Sequence, residues 1–352
     1  MLKQSTQLPL PPGENPASPN AGSALIVVLW VIGLLSILIS SFAFDMHVEA
    51  KLASYQKKRT EAAYLALAGI ERAQWFLSRS KFATEAYEGE YGEEWWWGQA
   101  ERLSRGGAFQ FEESLGAGTV RLEITAEPAR RNVNLLTDEE WENIFEMVAV
   151  GEELWPDLIA SIRDWIDADE DTRPEGAETD DYYKTLENPY AAKNSPLDTV
   201  QELNLIKGFH PRHESDSDRP EEEQTYVVIG AFSDLLTVYG DGKVNVNSAS
   251  PRVLMTLPGM TELTASDIQL EREGGYLDAP TEEDTSFESI GDLYSRVPDM
   301  PANIQDRLTI GASIFRIHAV GEVGGVERKI WCIANATPTG MRVLRWLEQE
   351  DI

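Results

Sequence analysis

The sequence has little of what builds disulfides, zinc sites or a basic surface: one cysteine, four histidines, and 30 basic against 60 acidic residues. The single Cys332 excludes an intramolecular disulfide, and so few cysteines and histidines argue against a zinc site. A net charge of −30 repels phosphate backbones, so nucleic acid is not expected as a partner. The chain is apolar enough to fold, since 42% of its residues are hydrophobic and ten are tryptophans.

Catalytic motifs are also missing. The sequence contains no nucleophile elbow, phosphate-binding loop, dinucleotide fingerprint or histidine-rich metal motif. Acidic residues are numerous enough for a carboxylate-dependent hydrolase, but no pair of them stands out. We therefore predict that the protein is not an enzyme.

One apolar run, residues 24–44, carries no charged side chain. Roughly 20 residues in a helix cross a hydrocarbon core of about 30 Å. A cleaved secretory signal is shorter and has small residues after it, whereas here Ala21, Gly22 and Ser23 come before the run. The run predicts one transmembrane helix, with a plain signal anchor as the simplest alternative. Because Lys3 precedes the run and more basic residues follow it, charge alone does not fix its orientation.

Gly22 and Ser23, followed by an unbroken apolar helix, resemble the prepilin peptidase site of type IV pilins and secretion pseudopilins. This resemblance implies cleavage after Gly22 and methylation of Ser23 as the new N-terminus. Most pilins carry glutamate at the fifth mature position, which here is Val27. Its absence is a hallmark of the K minor pseudopilins of type II secretion systems. A lone carboxylate in lipid is costly without a neighbour's amine, and a tip subunit has no such neighbour above it.

Residues 45–80 contain no proline and place apolar residues at helical spacing, which predicts a stem helix continuing the membrane span. Its predicted apolar positions are Met46, Leu52, Tyr55, Ala62, Leu65, Ile70, Ala73, Phe76 and Leu77. Alternating residues at 109–113 and 119–126 predict a β-hairpin, and 313–336 predict a second one around Gly324 and Gly325. Helices are predicted over 138–150 and 154–166.

The stretch at 163–183 is strongly acidic. Asp167, Asp169 and Asp171 alternate, and Glu178 lies eleven positions after Asp167, which is the ligand spacing of a calcium loop. Thr172 and Pro174 depart from an EF-hand, and a solvated acidic loop is the usual meaning of such a run. The stretch resembles the K pseudopilin signature, whose inserted domain binds calcium. The resemblance implies Ca²⁺ ligands at those four residues, with Glu175, Asp180 and Asp181 as further candidates.

Residues 194–209 and 245–260 share one form: a polar start, a short apolar helix, and a glycine turn at Gly208 or Gly259. This form resembles SAM-like or helix-hairpin-helix units, with Ser248 or Ser250 able to cap the helix that Pro251 begins. Such units bind DNA in membrane-anchored uptake receptors, which is the alternative function. The acidic surroundings of Arg252 and Arg272 favour a structural module instead.

Together these features predict an α+β fold: a type IV pilin-like N-terminal helix packed on an antiparallel sheet, with a large inserted α-helical domain holding the SAM-like repeats. The predicted segments are a cytoplasmic leader (1–22), a transmembrane helix (23–44), the stem (45–80), the first part of the sheet (81–135), the insertion (136–310) and the closing strands (311–352). The resemblance implies a minor pseudopilin that caps the pseudopilus tip and initiates its assembly for protein export. Its implied partners are the I, J and H minor pseudopilins, the major pseudopilin, the inner-membrane platform and prepilin peptidase. The implied location is the inner membrane, with the C-terminal portion in the periplasm.

Overall fold

The computed structural model describes residues 21–80, 102–209, 229–232, 234–274, 285–337 and 340–349. Residues 1–20 of the predicted leader lie outside this range, as do residues 81–101 of the predicted first sheet segment. The chain divides into two compact units, Met1–Lys58 and Arg59–Ile352.

A single helix, α1, is assigned from Ala21 to Ser80, which agrees with the lack of proline in this stretch. It is long and apolar enough to cross a membrane by length and composition, and its most apolar part is exposed. The predicted stem positions Met46, Leu52 and Tyr55 are also exposed, whereas burial begins at Ala62. The packed part of the stem is therefore shorter than its apolar spacing suggests.

Five antiparallel strands form the main sheet in the order β1-β2-β7-β8-β9. Their bounds are β1 Phe109–Leu115, β2 Gly118–Ala126, β7 Ile314–Val323, β8 Val326–Thr337 and β9 Gly340–Gln349. Both predicted hairpins are confirmed. Gly324 and Gly325 have φ angles of 54° and 81°, a conformation that glycine adopts without a steric penalty. β2 pairs directly with β7, although 187 residues separate Ala126 from Ile314.

The C-terminal part of α1 packs on one face of this sheet. Its small and apolar residues Ala66, Ile70, Ala73, Phe76 and Leu77 share a core with buried residues of β1, β2, β7 and β8, including Cys332. Met341 of β9 is partly buried against this core. The approach is closest at Gly321, where an added Cβ would lie 2.0 Å from the carbonyl oxygen of Ala62. Helix and sheet backbones meet this closely only because glycine has no side chain.

A second core lies in the part of the chain between β2 and β7. It holds β3 Arg131–Asn132, α2 Asp138–Met147, α3 Trp155–Ile166, β4 Leu236–Thr237, β5 Val244–Asn245, α4 Pro251–Met255, α5 Glu262–Arg272, α6 Ile290–Arg296 and β6 Leu308–Thr309. The two predicted helices at 138–150 and 154–166 are confirmed with slightly shorter bounds. Trp141 and Phe145 stack at a centroid distance of 5.3 Å within this core.

The two predicted repeats differ in detail. The first contains a 3₁₀-helix, Val200–Leu205, and the second contains the α-helix α4. Ser250 caps α4 by accepting a hydrogen bond from the backbone N–H of Val253 at 3.3 Å, whereas the buried hydroxyl of Ser248 makes no hydrogen bond. Gly208 and Gly259 both have positive φ, as their turns require. The SAM-like character of the repeats remains a prediction.

Candidate functional site

The predicted peptidase site lies at the beginning of α1. Gly22 and Ser23 are the second and third residues of the helix. Val27, at the fifth position after the predicted cut, is 59% exposed and is followed by exposed apolar residues. A run of exposed apolar side chains is typical of a surface that meets lipid or another helix.

The acidic loop after α3 is organised by Asp164, a residue that the sequence analysis did not single out. Its side chain is fully buried and accepts hydrogen bonds from the backbone N–H of Ala177 at 2.9 Å and from that of Arg173 at 3.2 Å. The Arg173 guanidinium lies 2.9 Å from Asp164 and also pairs with Asp167. An added Cβ at Gly176 would lie 2.0 Å from an Asp164 oxygen, so the loop closes tightly over this carboxylate.

The structure brings together two of the four predicted calcium ligands, Asp167 and Glu178. Burial and the nearby carboxylates of Asp164, Glu170 and Asp167 raise the pKa of Glu178 to about 7. Glu178 is 2% exposed, and neither of its carboxylate oxygens accepts a hydrogen bond of good geometry, although the backbone N–H of Thr179 is near enough to act against the rise in pKa. One oxygen of Asp167 and the side-chain oxygen of Asn194 are likewise buried without a partner.

Asp169 and Asp171 lie at the exposed edge of the loop. An Asp169 carboxylate oxygen accepts the backbone N–H of Asp171 at 3.0 Å, which stabilises the turn between them. Asn194, which the sequence analysis missed as a possible ligand, reaches this turn. Its amide nitrogen donates to the carbonyl of Asp169 at 2.8 Å and to Glu170 at 3.0 Å.

The further candidates Asp180 and Asp181 already have partners. Asp180 accepts from Lys184, and Asp181 accepts from the backbone N–H of Glu178 and from Thr172. Glu175 is exposed and adopts a positive φ of 67°.

Within the described residues, no group of three acidic, histidine or cysteine side chains is arranged to hold a metal ion. Buried polar groups are almost always paired, so the orphaned oxygens of Glu178, Asp167 and Asn194 need an explanation. All three are hard oxygen donors of the kind that Ca²⁺ prefers. Their chemistry fits that cation, whereas Asp169 and Asp171 stay predictions.

Arg252 in the second repeat and Arg272 after it are both engaged by groups of the protein rather than free to meet the backbone of DNA. Arg252 pairs with Asp234 at 2.7 Å. Arg272 donates to the carbonyl oxygens of Val246 and Ala249 at 2.9 and 2.7 Å. Phosphate binding needs free basic groups beside the hairpin, so the DNA-receptor alternative is not supported.

Comparison with known proteins identifies a matching protein family and a solved structure with a similar fold. The family model described as "Type II secretion system (T2SS), protein K" matches residues 123–213. The chain is similar to a chain in the crystal structure of the GspK-GspI-GspJ complex from enterotoxigenic Escherichia coli, with a TM-score of 0.53 and 14% identity over 87% of this chain and 100% of that one. No curated protein sequence matches. The resemblance to the K minor pseudopilins is therefore confirmed: residues 123–213 match the protein K family of type II secretion systems, and the chain has the fold of the similar crystal structure.

Proposed function

We propose that this protein is the minor pseudopilin that caps the pseudopilus tip of a type II secretion system and initiates its assembly for protein export. The match of residues 123–213 to protein K carries the proposal. Two features support it: an exposed apolar helix whose end packs on an antiparallel sheet, and Val27 where other pilins have glutamate. The role is one of assembly rather than catalysis.

The proposed partners follow from the similar structure, in which GspK forms a complex with GspI and GspJ. We propose that this chain joins the I and J minor pseudopilins of its own system, and further contacts the H type, the major pseudopilin and the assembly platform. Its first helix would sit in the inner membrane, with the sheet and the second core in the periplasm. Prepilin peptidase would act on it before assembly.

Co-purification tests this assignment. The full chain with a C-terminal tag, co-expressed with the I and J pseudopilins and prepilin peptidase of its own system, should retain both partners in equal amounts after detergent extraction. Native mass spectrometry should give one ternary complex, and immunogold labelling should place the tag at one end of a pseudopilus. A tag distributed along the fibre would contradict tip capping, and the absence of both partners would contradict the assignment.

We also propose that the acidic loop holds calcium through Glu178, Asp167 and Asn194. The proposal is supported by four unpartnered oxygens, two of Glu178 and one each of Asp167 and Asn194, and by the raised pKa of Glu178, which is the direction expected for a buried carboxylate near other carboxylates. A bound cation would supply that charge and hold the loop closed. Asp164 and Arg173 would position the loop without the metal.

A further inference from the structure

A cavity of about 500 Å³ lies where the start of the sheet meets the second repeat. Three arginines line it: Arg102, Arg130 and Arg272. This concentration of positive charge stands out in a chain with twice as many acidic as basic residues. A cavity with an excess of one sign of charge attracts ligands of the opposite sign.

The two carboxylates that line the cavity compensate these arginines only in part, since Asp234 attracts Arg130 and Glu273 attracts Arg272 without forming an ion pair. Asp234 pairs with Arg252 at 2.7 Å, and Glu273 accepts a hydrogen bond from the side chain of Gln269 at 3.0 Å. Neither forms an ion pair with Arg102, Arg130 or Arg272 in the part of the chain that the structure describes. The cavity therefore keeps an excess of positive charge.

Arg130 is only partly compensated by its one ion pair among the described residues. The partner is the Glu127 carboxylate, 3.9 Å from the Arg130 guanidinium. This carboxylate already accepts hydrogen bonds from Nη2 and Nε of Arg316, at 2.9 and 3.0 Å, and from the hydroxyl of Thr237. The Nε atom of Arg130 is buried and has no acceptor. Burial and the neighbouring Arg316 lower the pKa of Arg130, whereas Glu127 and Asp234 act in the opposite direction and do not offset the shift.

Arg272 and Ser248 also line the cavity. The carbonyl oxygens of Val246 and Ala249 fix the Arg272 guanidinium, but no carboxylate pairs with it among the described residues. The Ser248 hydroxyl lines the same cavity, is buried and makes no hydrogen bond. Arg272 is a half-buried cation without an ion pair among the described residues, and the Ser248 hydroxyl is a buried donor without a partner. Each costs free energy unless a ligand satisfies it.

We propose that this cavity binds a small oxyanion, such as phosphate or a compact polycarboxylate, between Arg130 and Arg272, with Ser248 donating a further hydrogen bond. Guanidinium groups bind carboxylate and phosphate oxygens through paired, charge-assisted hydrogen bonds. The exposed Arg102 would add attraction at the entrance. This site is separate from the acidic loop and does not depend on the proposed role in secretion.

Isothermal titration of the full chain in detergent micelles tests the proposal. Inorganic phosphate, sulfate and citrate are titrated separately, at constant ionic strength and in buffers freed of divalent cations by a chelating resin. At least one of them should bind saturably at one site per chain, and the preferred anion distinguishes a phosphate ligand from a carboxylate ligand. Arg130→Gln should weaken binding at least tenfold, since it removes a charged partner.

Two milder variants keep the test decisive if Arg130→Gln fails to fold. Arg102→Gln changes an exposed side chain without an ion pair among the described residues, and Ser248→Ala removes a hydroxyl without a partner. Each should weaken binding severalfold and leave the melting temperature without anion unchanged. The matched controls Arg342→Gln and Ser295→Ala, neither of which changes a residue that lines the cavity, should bind like the wild type. No saturable binding of any anion, or equal weakening by the controls, would overturn the proposal.

Discussion

Replacing Glu178 by glutamine is expected to abolish the stabilisation that calcium gives to this protein. Wild-type protein should melt at a higher temperature in saturating calcium than without it, because a ligand that binds only the folded state stabilises that state. A calcium concentration 100 times the dissociation constant corresponds to about 2.7 kcal/mol. The glutamine side chain has no charge to offer the cation, so the Glu178→Gln variant should show little or no calcium response.

The same substitution should have the opposite effect when calcium is absent. The folded-state pKa of Glu178, about 7, lies above its ordinary value of 4.5, so the folded protein holds this proton more tightly than the unfolded chain does. Wild-type stability is then fully present below about pH 4.5, decreases as the pH rises toward 7, and is lowest above that. Between these pH values the free energy of unfolding decreases by an amount on the order of 3 kcal/mol because of the shift in the Glu178 pKa. Glu178→Gln removes this loss, and the calcium-free variant should melt above the wild type at pH 8.

Thermal melts of the full chain in detergent, at pH 4.5 and pH 8 and with and without calcium, measure both effects. Glu187→Gln is the matched control, because Glu187 is an exposed carboxylate of the same region. It should behave like the wild type in all four conditions. A wild-type melting temperature indifferent to calcium, or a calcium response retained by Glu178→Gln, would refute the calcium site.

The buried ion-pair network around Glu140 should give the second large effect. Glu140 is 1% exposed and accepts hydrogen bonds from Arg131 and Arg307. Arg131 is 2% exposed and also donates to the hydroxyl of Thr256 at 3.0 Å. The network therefore ties α2 to the end of α4 and to the segment before β6. Removing one member of such a buried pair leaves the other charge without compensation, which costs about 3–5 kcal/mol.

We expect Glu140→Gln to lower the free energy of unfolding by about 3 kcal/mol, toward the low end of that range, because the amide keeps the shape of the side chain. Denaturant titration followed by tryptophan fluorescence measures this loss. Glu139→Gln, an exposed neighbour in the same helical turn, is the control and should cost little. The double variant Arg131→Met/Glu140→Leu should lose less unfolding free energy than the single variants Arg131→Met and Glu140→Leu lose together. Additive losses would show that the charges are not coupled.

The two hairpins and the long helix followed directly from the sequence. Alternating residues with glycine turns identified both hairpins, because strand period and turn chemistry are local properties of the chain. The pairing of β2 with β7 is not local, and the prediction of one sheet rested on the family resemblance. The apolar spacing along α1 did not show which of its positions are covered, and residues 46–55 are exposed, since periodicity shows that a helix has an apolar face but not what covers it.

The acidic loop was harder to predict for a physical reason. Spacing singled out Asp167 and Glu178, but it cannot distinguish a carboxylate with free oxygens from one that stabilises its own turn, as Asp169 does. Asp164 and Arg173 were missed because their contacts depend on how the loop folds back on α3. Asn194 was missed because its partners lie 24 and 25 residues earlier. Asp164, buried at the end of α3, could have been found from its place on the apolar side of that helix.

The mature N-terminus tests the central claim, membership of the pseudopilin class, most directly. The full chain is co-expressed with a prepilin peptidase, and its intact mass and N-terminal peptide are measured by mass spectrometry, with a known pilin as the control in the same cells. We predict a chain that begins at methylated Ser23 after cleavage behind Gly22, and an uncut chain for Gly22→Leu. A chain that retains Met1 while the control pilin is cut would contradict the account and favour a plain membrane anchor.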